Sequence, residues 1–293
     1  MLLEDKNLYY VGGVVRDEIL SIPSIDTDFC YEGNAITFAK EKDLNIIKTN
    51  EAFGTVRVLI EKKHIDIAST RTETYPKKGH LPKVENIGCS LKEDLIRRDF
   101  TINAMAKRTT DGKFIDYFGG QEDIQNKKLK LLHEKSFVDD PTRIIRGLKF
   151  SVRFGFELEE KTRELQDEYL NNINYDMSYH RIRKELIETF NLNNSKAYDR
   201  FIEQGIYKLL GKNVKKTEIK GYDIRQIIGD ISTPYLWLFY IATFIPYCFD
   251  IETIYPTRAE RRIIEWAKKL KYQKAGNNTP IESYTVRRIL DNA

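Results

Sequence analysis

The chain has 293 residues, which is long enough for one large domain or two to three small ones with buried apolar cores. Hydrophobic residues make up 41% and charged residues 31% of the sequence, and this composition excludes a largely disordered protein. The net charge is only +4, but Lys and Arg are bunched in several runs, which is compatible with a nucleic-acid partner.

The spacing of the cysteines and the length of the apolar stretches bear on where in the cell the protein is expected. Cys30, Cys89 and Cys248 are far apart and follow no CxxC spacing, which favours reduced thiols and a cytoplasmic protein over a zinc site. The start of the chain carries acidic residues without a long apolar run, unlike a secretory signal. The most apolar stretch, residues 234–249, is shorter than the ~20 residues of a membrane span and predicts a buried helix.

The first part of the chain predicts strands alternating with helices. Residues 8–15 form an apolar run that contains Gly12-Gly13, which is typical of a strand leading into a tight turn. Residues 25–31 alternate, so that Asp26, Asp28 and Cys30 share one face of a strand. Helices are expected at 16–20 and 34–42, and strands at 53–60 and 63–67.

Residues 71–90 contain two prolines, two glycines and many polar groups. This composition predicts a long loop. A loop of that length inside a compact domain is usually functional or mobile.

From Leu91 onward the pattern is mostly helical, with one short strand expected at 114–117. Asp140-Pro141 is a typical helix start, and residues 141–154 follow with helical spacing. In that helix the apolar residues are expected to face inward and the basic ones to form a row: Ile144, Ile145, Leu148 and Val152, then Arg143, Arg146 and Lys149. Further amphipathic helices are expected at 178–190, 196–209 and 258–271. The predicted fold class is therefore α+β, with a small mixed sheet and helices in a head over residues 1–135 and an all-α remainder.

The pair Asp26 and Asp28 predicts a metal site. Carboxylates two residues apart on a strand project from the same face and would repel each other. A divalent cation removes that conflict, and Mg²⁺ combines a few carboxylates with substrate phosphates. Two such ions could activate an attacking hydroxyl and stabilise a departing pyrophosphate. Asp66, between apolar neighbours on another predicted strand, is either a third metal ligand or an edge-strand acid.

A phosphate-binding turn is predicted upstream of the acidic pair. Gly12-Gly13 after an apolar strand leaves the backbone open to close contact with a triphosphate. Arg16 follows three residues later, with a planar guanidinium suited to phosphate.

Five strings follow one another in order: GGVVRDEILSIPSIDTDF, LIRRDFTINAMA at 95–106, DYFGGQED at 116–123, DDPTRIIRGLKFSVRFGF at 139–156 and SYHRIRKEL. Together they resemble the motifs of class II tRNA nucleotidyltransferases and bacterial poly(A) polymerases, which belong to the DNA polymerase beta-like nucleotidyltransferase superfamily. The resemblance implies a catalytic head over 1–135, a helical neck with the nucleotide-selecting motif over 136–190 and a helical body and tail over 191–293 that binds tRNA.

The resemblance also implies residue roles in the head. Gly12, Gly13 and Arg16 would contact the nucleotide triphosphate, and Asp26 and Asp28 would hold Mg²⁺ as the catalytic residues. Three residues of the second string would bind the nucleotide or shape its pocket: Arg98, Asp99 and Asn103.

In the neck, Asp140 and Arg143 would act as an amino-acid template for the base, supported by Arg146. The chemistry agrees, because a carboxylate accepts from an exocyclic amino group while Arg donates to a ring nitrogen or carbonyl. Cytosine and adenine both present such an amino group beside an acceptor nitrogen. Lys149 departs from the family, which commonly has a further Arg there, so a phosphate contact at this position would be weaker or remodelled.

The function implied is addition of C, C and A to the tRNA 3′ end from CTP and ATP, with pyrophosphate release. The full-length segment at 71–88 favours an enzyme able to add the terminal A. An A-adding or CC-adding specialist and a poly(A) polymerase remain alternatives within the family. A catalytically inactive RNA-binding module is the alternative from another class, and the Asp26/Asp28 pair argues against it.

The C-terminal half offers basic groups for the tRNA acceptor phosphates. They occur at 212–216, 258–262, 268–271 and 287–288. The aromatic residues between them are expected in the core: Tyr235, Trp237, Phe239 and Tyr240. No membrane role is indicated, and the sequence leaves the oligomeric state open.

Overall fold

A computed structural model describes residues 3–24, 27–192, 194–222, 224, 234–247, 257–261 and 263–264. The chain divides into two compact units. The first comprises residues 1–139 and 157–162, and the second comprises residues 140–156 and 163–293. The three-part division into head, neck and body remains a prediction.

The described residues of the first unit contain eleven strands. They are β1 (Leu8–Val11), β2 (Asp28–Tyr31), β3 (Ile46–Asn50), β4 (Thr55–Ile60), β5 (Lys63–Ser69), β6 (Arg71–Thr74), β7 (Lys83–Ile87), β8 (Met105–Arg108), β9 (Phe114–Asp116), β10 (Lys128–Leu129) and β11 (Glu157–Leu158). Among the described residues, seven of them form one mixed sheet in the order β3-β4-β5-β2-β1-β8-β9. Within it β2 and β5 run parallel, and the other neighbours run antiparallel.

The alternation predicted for residues 25–31 is confirmed from Asp28 onward. Phe29 packs into a core on one face of the sheet with residues of β4, β5 and the helix at 35–41. Cys30, the next residue, packs on the opposite face with Tyr9, Val11 and Leu95. Successive side chains of a strand point to opposite faces, so Asp28 belongs to the Cys30 face, as predicted.

The helices are α1 (Gly13–Ile19), α2 (Ala35–Glu41), α3 (Leu91–Ile96), α4 (Gly120–Gln125), α5 (Ser136–Asp139), α6 (Thr142–Phe154), α7 (Glu160–Asn171), α8 (Tyr179–Phe190), α9 (Ser195–Glu203) and α10 (Leu236–Ile241). Side-chain caps explain where several begin. The Asn34 side chain accepts from the backbone of Ile36 and Thr37, and Ser90 and Glu93 form a reciprocal capping box at α3.

The long loop predicted at 71–90 is wrong. Arg71–Thr74 and Lys83–Ile87 pair antiparallel as β6 and β7, which leaves residues 75–82 as the connection. The polar residues of both strands are mostly exposed or half-buried. A two-stranded ribbon without a buried face lacks the apolar alternation by which strands are predicted.

Two strands of the large sheet also escaped prediction. In β3, Ile46 is half-buried and the residues from Ile47 to Asn50 are exposed, because the strand lies at the sheet edge. Strand β8, which lies between β1 and β9, has only four residues, which is too short to show a clear period.

Helices dominate the second unit. Ile144, Ile145 and Leu148 are buried in α6, as predicted, and Val152 is half-buried. The apolar stretch at 234–249 contains the buried helix α10, and within it Trp237, Phe239 and Tyr240 belong to the core as predicted. Tyr240 stacks on Phe190 at 5.2 Å between ring centroids. Of the helix expected at 258–271, residues 258–261 and 263–264 are described and helical.

Within the described residues, no helix has the length and apolar character needed to cross a membrane.

Candidate active site

Asp28 and Asp66 lie side by side on neighbouring strands. They are register partners in the parallel pair β2–β5, so their side chains project from the same face of the sheet. Strand β5 lies between β4 and β2, so the edge-strand interpretation of Asp66 is wrong. Asp26 lies outside the described residues.

An open cavity of about 460 Å³ adjoins these two carboxylates. Basic side chains contribute to its walls: Lys48, Arg57 and Arg98. Arg57, the register partner of Asp66 on β4, donates from Nε and Nη2 to the two Asp66 oxygens, both at 2.7 Å. Both side chains of this pair are about half exposed, at 48% and 51%. Solvent-exposed ion pairs contribute little to stability, so Asp66 can exchange Arg57 for another cation at low cost.

The predicted turn after β1 is confirmed, and it brings Arg98 close to the backbone. Gly12 has φ 71° and ψ −123°, a conformation that L side chains rarely adopt. A Cβ atom on Gly12 would lie 2.9 Å from Arg98 Nη1. Glycine at this position therefore allows both the turn and the guanidinium above it.

Arg16 is buried rather than open to solvent, with 4% exposure. Its guanidinium donates to Asp17 Oδ1 at 2.7 and 2.9 Å and to Asn103 Oδ1 at 2.5 Å. Asn103 Nδ2 in turn donates to Asp99 Oδ1 at 2.9 Å. One hydrogen-bonded chain thus joins the predicted residues of the first and second sequence strings.

Residues of the third sequence string, 116–123, pack against the turn at 101–103 that carries Asn103. The Asp116 carboxylate accepts from the backbone N–H groups of Gly120 and Gln121, both at 2.9 Å. A Cβ atom on Gly120 would lie 2.4 Å from the Thr101 carbonyl oxygen. Helix α4 therefore packs directly against the turn that carries Asn103.

In the second unit, Asp140 is buried at the start of α6 with 6% exposure. Its Oδ1 accepts from the Thr142 backbone at 3.1 Å and from the Thr142 hydroxyl at 2.6 Å. Its Oδ2 accepts from Arg181 Nη2 of α8 and lies 4.0 Å from Arg143 Nε. Arg143 is 5% exposed, so both members of the predicted template are buried rather than surface charges.

Two members of the basic row predicted on α6, Arg146 and Lys149, are paired with acids of α8. Lys149 Nζ lies 2.9 Å from Glu185 and 2.5 Å from Glu188, and Arg146 lies 3.5 Å from Glu185. Burial alone would raise the pKa of Glu188, but the Lys149 ammonium outweighs it and lowers that pKa. Lys149 is only 8% exposed, and its ammonium group forms ion pairs between helices.

The structure assembles the predicted residues in two groups. The first unit contains the residues predicted to bind the triphosphate and the metal: Gly12, Gly13, Arg16, Asp28, Asp66, Arg98, Asp99 and Asn103. The second unit contains the residues predicted to select the base: Asp140, Arg143 and Arg146.

Sequence reasoning missed Asp17, Arg57 and Asp94. Asp94 had a detectable signal, because it stands three and four residues before Arg97 and Arg98 in a helical pattern. Arg57 had none, since its partner Asp66 depends on the strand register.

Comparisons with known proteins agree with this geometry. Residues 8–130 match the family model "Poly A polymerase head domain". An A-adding tRNA nucleotidyltransferase of Aquifex aeolicus is 48% identical over 170 residues, which is 56% of this chain and 20% of the relative. A solved tRNA-processing enzyme (apo form 2) is 30% identical with a TM-score of 0.70, covering 98% of this chain and 85% of that one. The Thermotoga maritima CCA-adding enzyme complexed with tRNA_CCA is 30% identical with a TM-score of 0.66, covering 89% of this chain and 65% of that one.

The chain belongs to the family of tRNA nucleotidyltransferases and poly(A) polymerases that share this head domain. It spans a fifth of the length of the A. aeolicus relative.

Proposed function

We propose that this protein is a template-independent nucleotidyltransferase that adds nucleotides to the 3′ end of tRNA from CTP and ATP, with release of pyrophosphate. The observation that carries the proposal is the cavity where the register partners Asp28 and Asp66 meet Arg98. Acidic groups for a metal and a basic group for phosphate at one cavity are the requirements of this chemistry.

The residues present fit a divalent metal. Carboxylate oxygens are hard ligands that suit Mg²⁺, and Asp28 and Asp66 offer them from adjacent strands. Asp28 and Asp26 would hold the ion, and the exposed Arg57 pair leaves Asp66 available as a third ligand. When bound, Mg²⁺ would promote ionisation of the RNA 3′-hydroxyl and neutralise charge on the leaving pyrophosphate.

The chain's own residues would bind and orient the triphosphate. The Gly12-Gly13 turn lets a phosphate approach the backbone, and the Arg98 guanidinium above that turn would donate to phosphate oxygens. Buried Arg16 would hold the turn in place, because Asp17 and Asn103 fix its direction. Asp99 would shape the same pocket through Asn103.

Base choice would rest on Asp140 and Arg143. The Asp140 carboxylate would accept from the amino group of cytosine or adenine, and Arg143 would donate to the neighbouring acceptor nitrogen. Uracil and guanine present the opposite pattern at this edge and would be rejected. Arg181 and Thr142 orient the carboxylate, and Arg146 would support the arrangement through Glu185.

Complete CCA addition and A addition alone are the two candidate specificities. The structural likeness to CCA-adding enzymes supports the first. The 48% identity to a relative named for A addition supports the second. The residues at 71–88 favour addition of the terminal A and therefore agree with both specificities. We favour complete CCA addition, because the Asp140/Arg143 pair would accept the base edge of cytosine as well as that of adenine.

Product analysis on truncated tRNAs tests the proposal. The full chain would be incubated with Mg²⁺, with CTP and ATP of which one is labelled, and with tRNA that lacks CCA or ends in CC. Complete CCA addition predicts two C residues and one A on the first substrate and one A on the second.

Incorporation of A only into tRNA ending in CC would identify an A-adding specialist, and C residues without A would identify a CC-adding one. Long A tails would identify a poly(A) polymerase. No incorporation by a protein that still binds tRNA would overturn the proposal in favour of a binding module.

A further inference from the structure

Asp94 is a buried carboxylate outside the predicted site. It lies in the first turn of the short helix α3, and its side chain is fully inaccessible, with 0% exposure. A buried charge is costly unless it is paired and hydrogen-bonded. The hydrogen-bond partners of the Asp94 carboxylate therefore indicate its role.

The two oxygens of Asp94 have different partners. Oδ1 accepts from Arg97 Nη2 at 2.6 Å, from Arg97 Nε at 3.1 Å and from the Arg71 backbone N–H at 3.2 Å. Oδ2 accepts from Arg98 Nη2 at 3.2 Å. One oxygen thus binds the base of the β6–β7 hairpin, and the other binds Arg98.

The opposite edge of the Arg98 guanidinium faces the Gly12 turn. Its Nη1 lies 2.9 Å from the position that a Cβ atom of Gly12 would occupy. Its Nε is buried and has no hydrogen-bond partner in the described part of the chain. The carboxylate of Asp94 is therefore the acceptor that sets the direction of this guanidinium at the wall of the cavity with Asp28 and Asp66.

The charge state of Asp94 agrees with this role. Burial alone would raise the pKa of Asp94, but the guanidinium groups of Arg98 and Arg97 outweigh it and hold that pKa below its usual value. The same interaction raises the pKa of Arg97 against its own burial. The carboxylate is therefore ionised at neutral pH.

We propose that Asp94 is a positioning residue, which holds Arg98 above the Gly12-Gly13 turn for the incoming triphosphate and joins it to the base of the β6–β7 hairpin. The role of Arg98 in this inference rests on the proposed function. Asp94 itself touches no substrate and acts through Arg98.

A double-mutant cycle separates this role from a general loss of stability. The variants are Asp94→Asn, Arg98→Ala and the double variant. For each one, equilibrium dialysis gives the Kd for labelled ATP without RNA, steady-state kinetics gives KM and kcat, and thermal unfolding gives Tm. Glu73→Gln is the matched control, because Glu73 contacts Arg71 and Arg97 at 2.7 and 3.4 Å in the same cluster.

Asp94→Asn is expected to weaken ATP binding by about tenfold in the otherwise natural chain, and by less than about twofold when Arg98 is already Ala. The KM for tRNA should stay unchanged, and Glu73→Gln should leave the Kd for ATP unchanged. Asp94→Glu should lose less ATP affinity than Asp94→Asn, by about threefold, and again only while Arg98 is present. If Asp94→Asn does not fold, Asp94→Glu replaces it in the cycle, since it keeps the charge but displaces it by one methylene.

Equal loss of ATP affinity with and without Arg98, or an equal loss in Glu73→Gln, would overturn the inference. A chain that binds ATP but extends no RNA would contradict the proposed function, while the cycle in Kd still decides the role of Asp94. A chain that binds no nucleoside triphosphate would overturn both.

Discussion

Buried arginines and carboxylates of this protein fix one another's direction. Arg16 is held by Asp17 and Asn103, and Asp140 is held by Thr142 and Arg181. Hydrogen bonds between charged groups are stronger and more directional than neutral ones. At the scale of single residues, these side chains are therefore held in one direction without a ligand, and removal of one partner should disturb the proposed function of the other.

Arg181→Ala tests that statement in the second unit. The Asp140 carboxylate would keep its Thr142 bonds but lose the partner on Oδ2, so it would no longer present one fixed acceptor. We expect kcat/KM for CTP and ATP to fall by about ten- to a hundredfold and discrimination against UTP to weaken. Arg183→Ala on the same helix, which removes a pair with Glu260, is the control. Unchanged selectivity in Arg181→Ala would show that Asp140 needs no such support.

At the scale of elements, the β6–β7 hairpin is attached at both ends. Its base is bound by Asp94. Its connection is bound by α5, where Lys78 Nζ lies 2.5 Å from Asp139 Oδ1 and the Gly79 N–H donates to the Asp139 carbonyl at 3.1 Å. Asp139 directly precedes the proposed base-reading residue Asp140. The connection of the hairpin is therefore attached to the residue that immediately precedes Asp140.

Replacement of residues 75–82 by a short Gly linker tests the hairpin. It would remove the attachment to Asp139 but leave Asp28, Asp66 and Asp140 in place. We expect addition of CC to continue and addition of A to stop, because the pocket could no longer rearrange between the two nucleotides. Lys78→Ala should reproduce part of the loss. Addition of A at the full rate by the linker variant, measured on tRNA ending in CC, would show that the hairpin has no role in nucleotide specificity.

At the scale of the whole molecule, the fold class could be predicted, whereas contacts that depend on register could not. The α+β assignment is confirmed, because the apolar run at β1, the alternation at β2 and the helical spacing in α6, α8 and α9 are local signals. The pairing of Asp28 with Asp66 and of Asp66 with Arg57 joins residues that are distant in sequence. The hairpin was missed because its polar strands carry no periodic signal.

The residues of the site were predicted unevenly for the same reason. Sequence strings shared with a family pointed to Arg98 and Asp140, which would contact the nucleotide. Their partners were not predicted: Asp94 has only the helical spacing to Arg98 as a signal, and the contact of Arg181 with Asp140 depends on the placement of α8.

The most direct test of the account is the rate of nucleotide incorporation by Asp28→Ala and Asp26→Ala. Label from CTP and ATP would be followed on tRNA lacking CCA, with Mg²⁺ present and thermal unfolding measured in parallel. Asp111→Ala is the control, because it removes an exposed acid of the first unit that pairs with Arg108 outside the cavity. We expect Asp28→Ala and Asp26→Ala to fold but to incorporate nucleotides at least roughly a thousandfold more slowly, while Asp111→Ala keeps the full rate. Extension of RNA at the full rate by Asp28→Ala or Asp26→Ala would contradict the account.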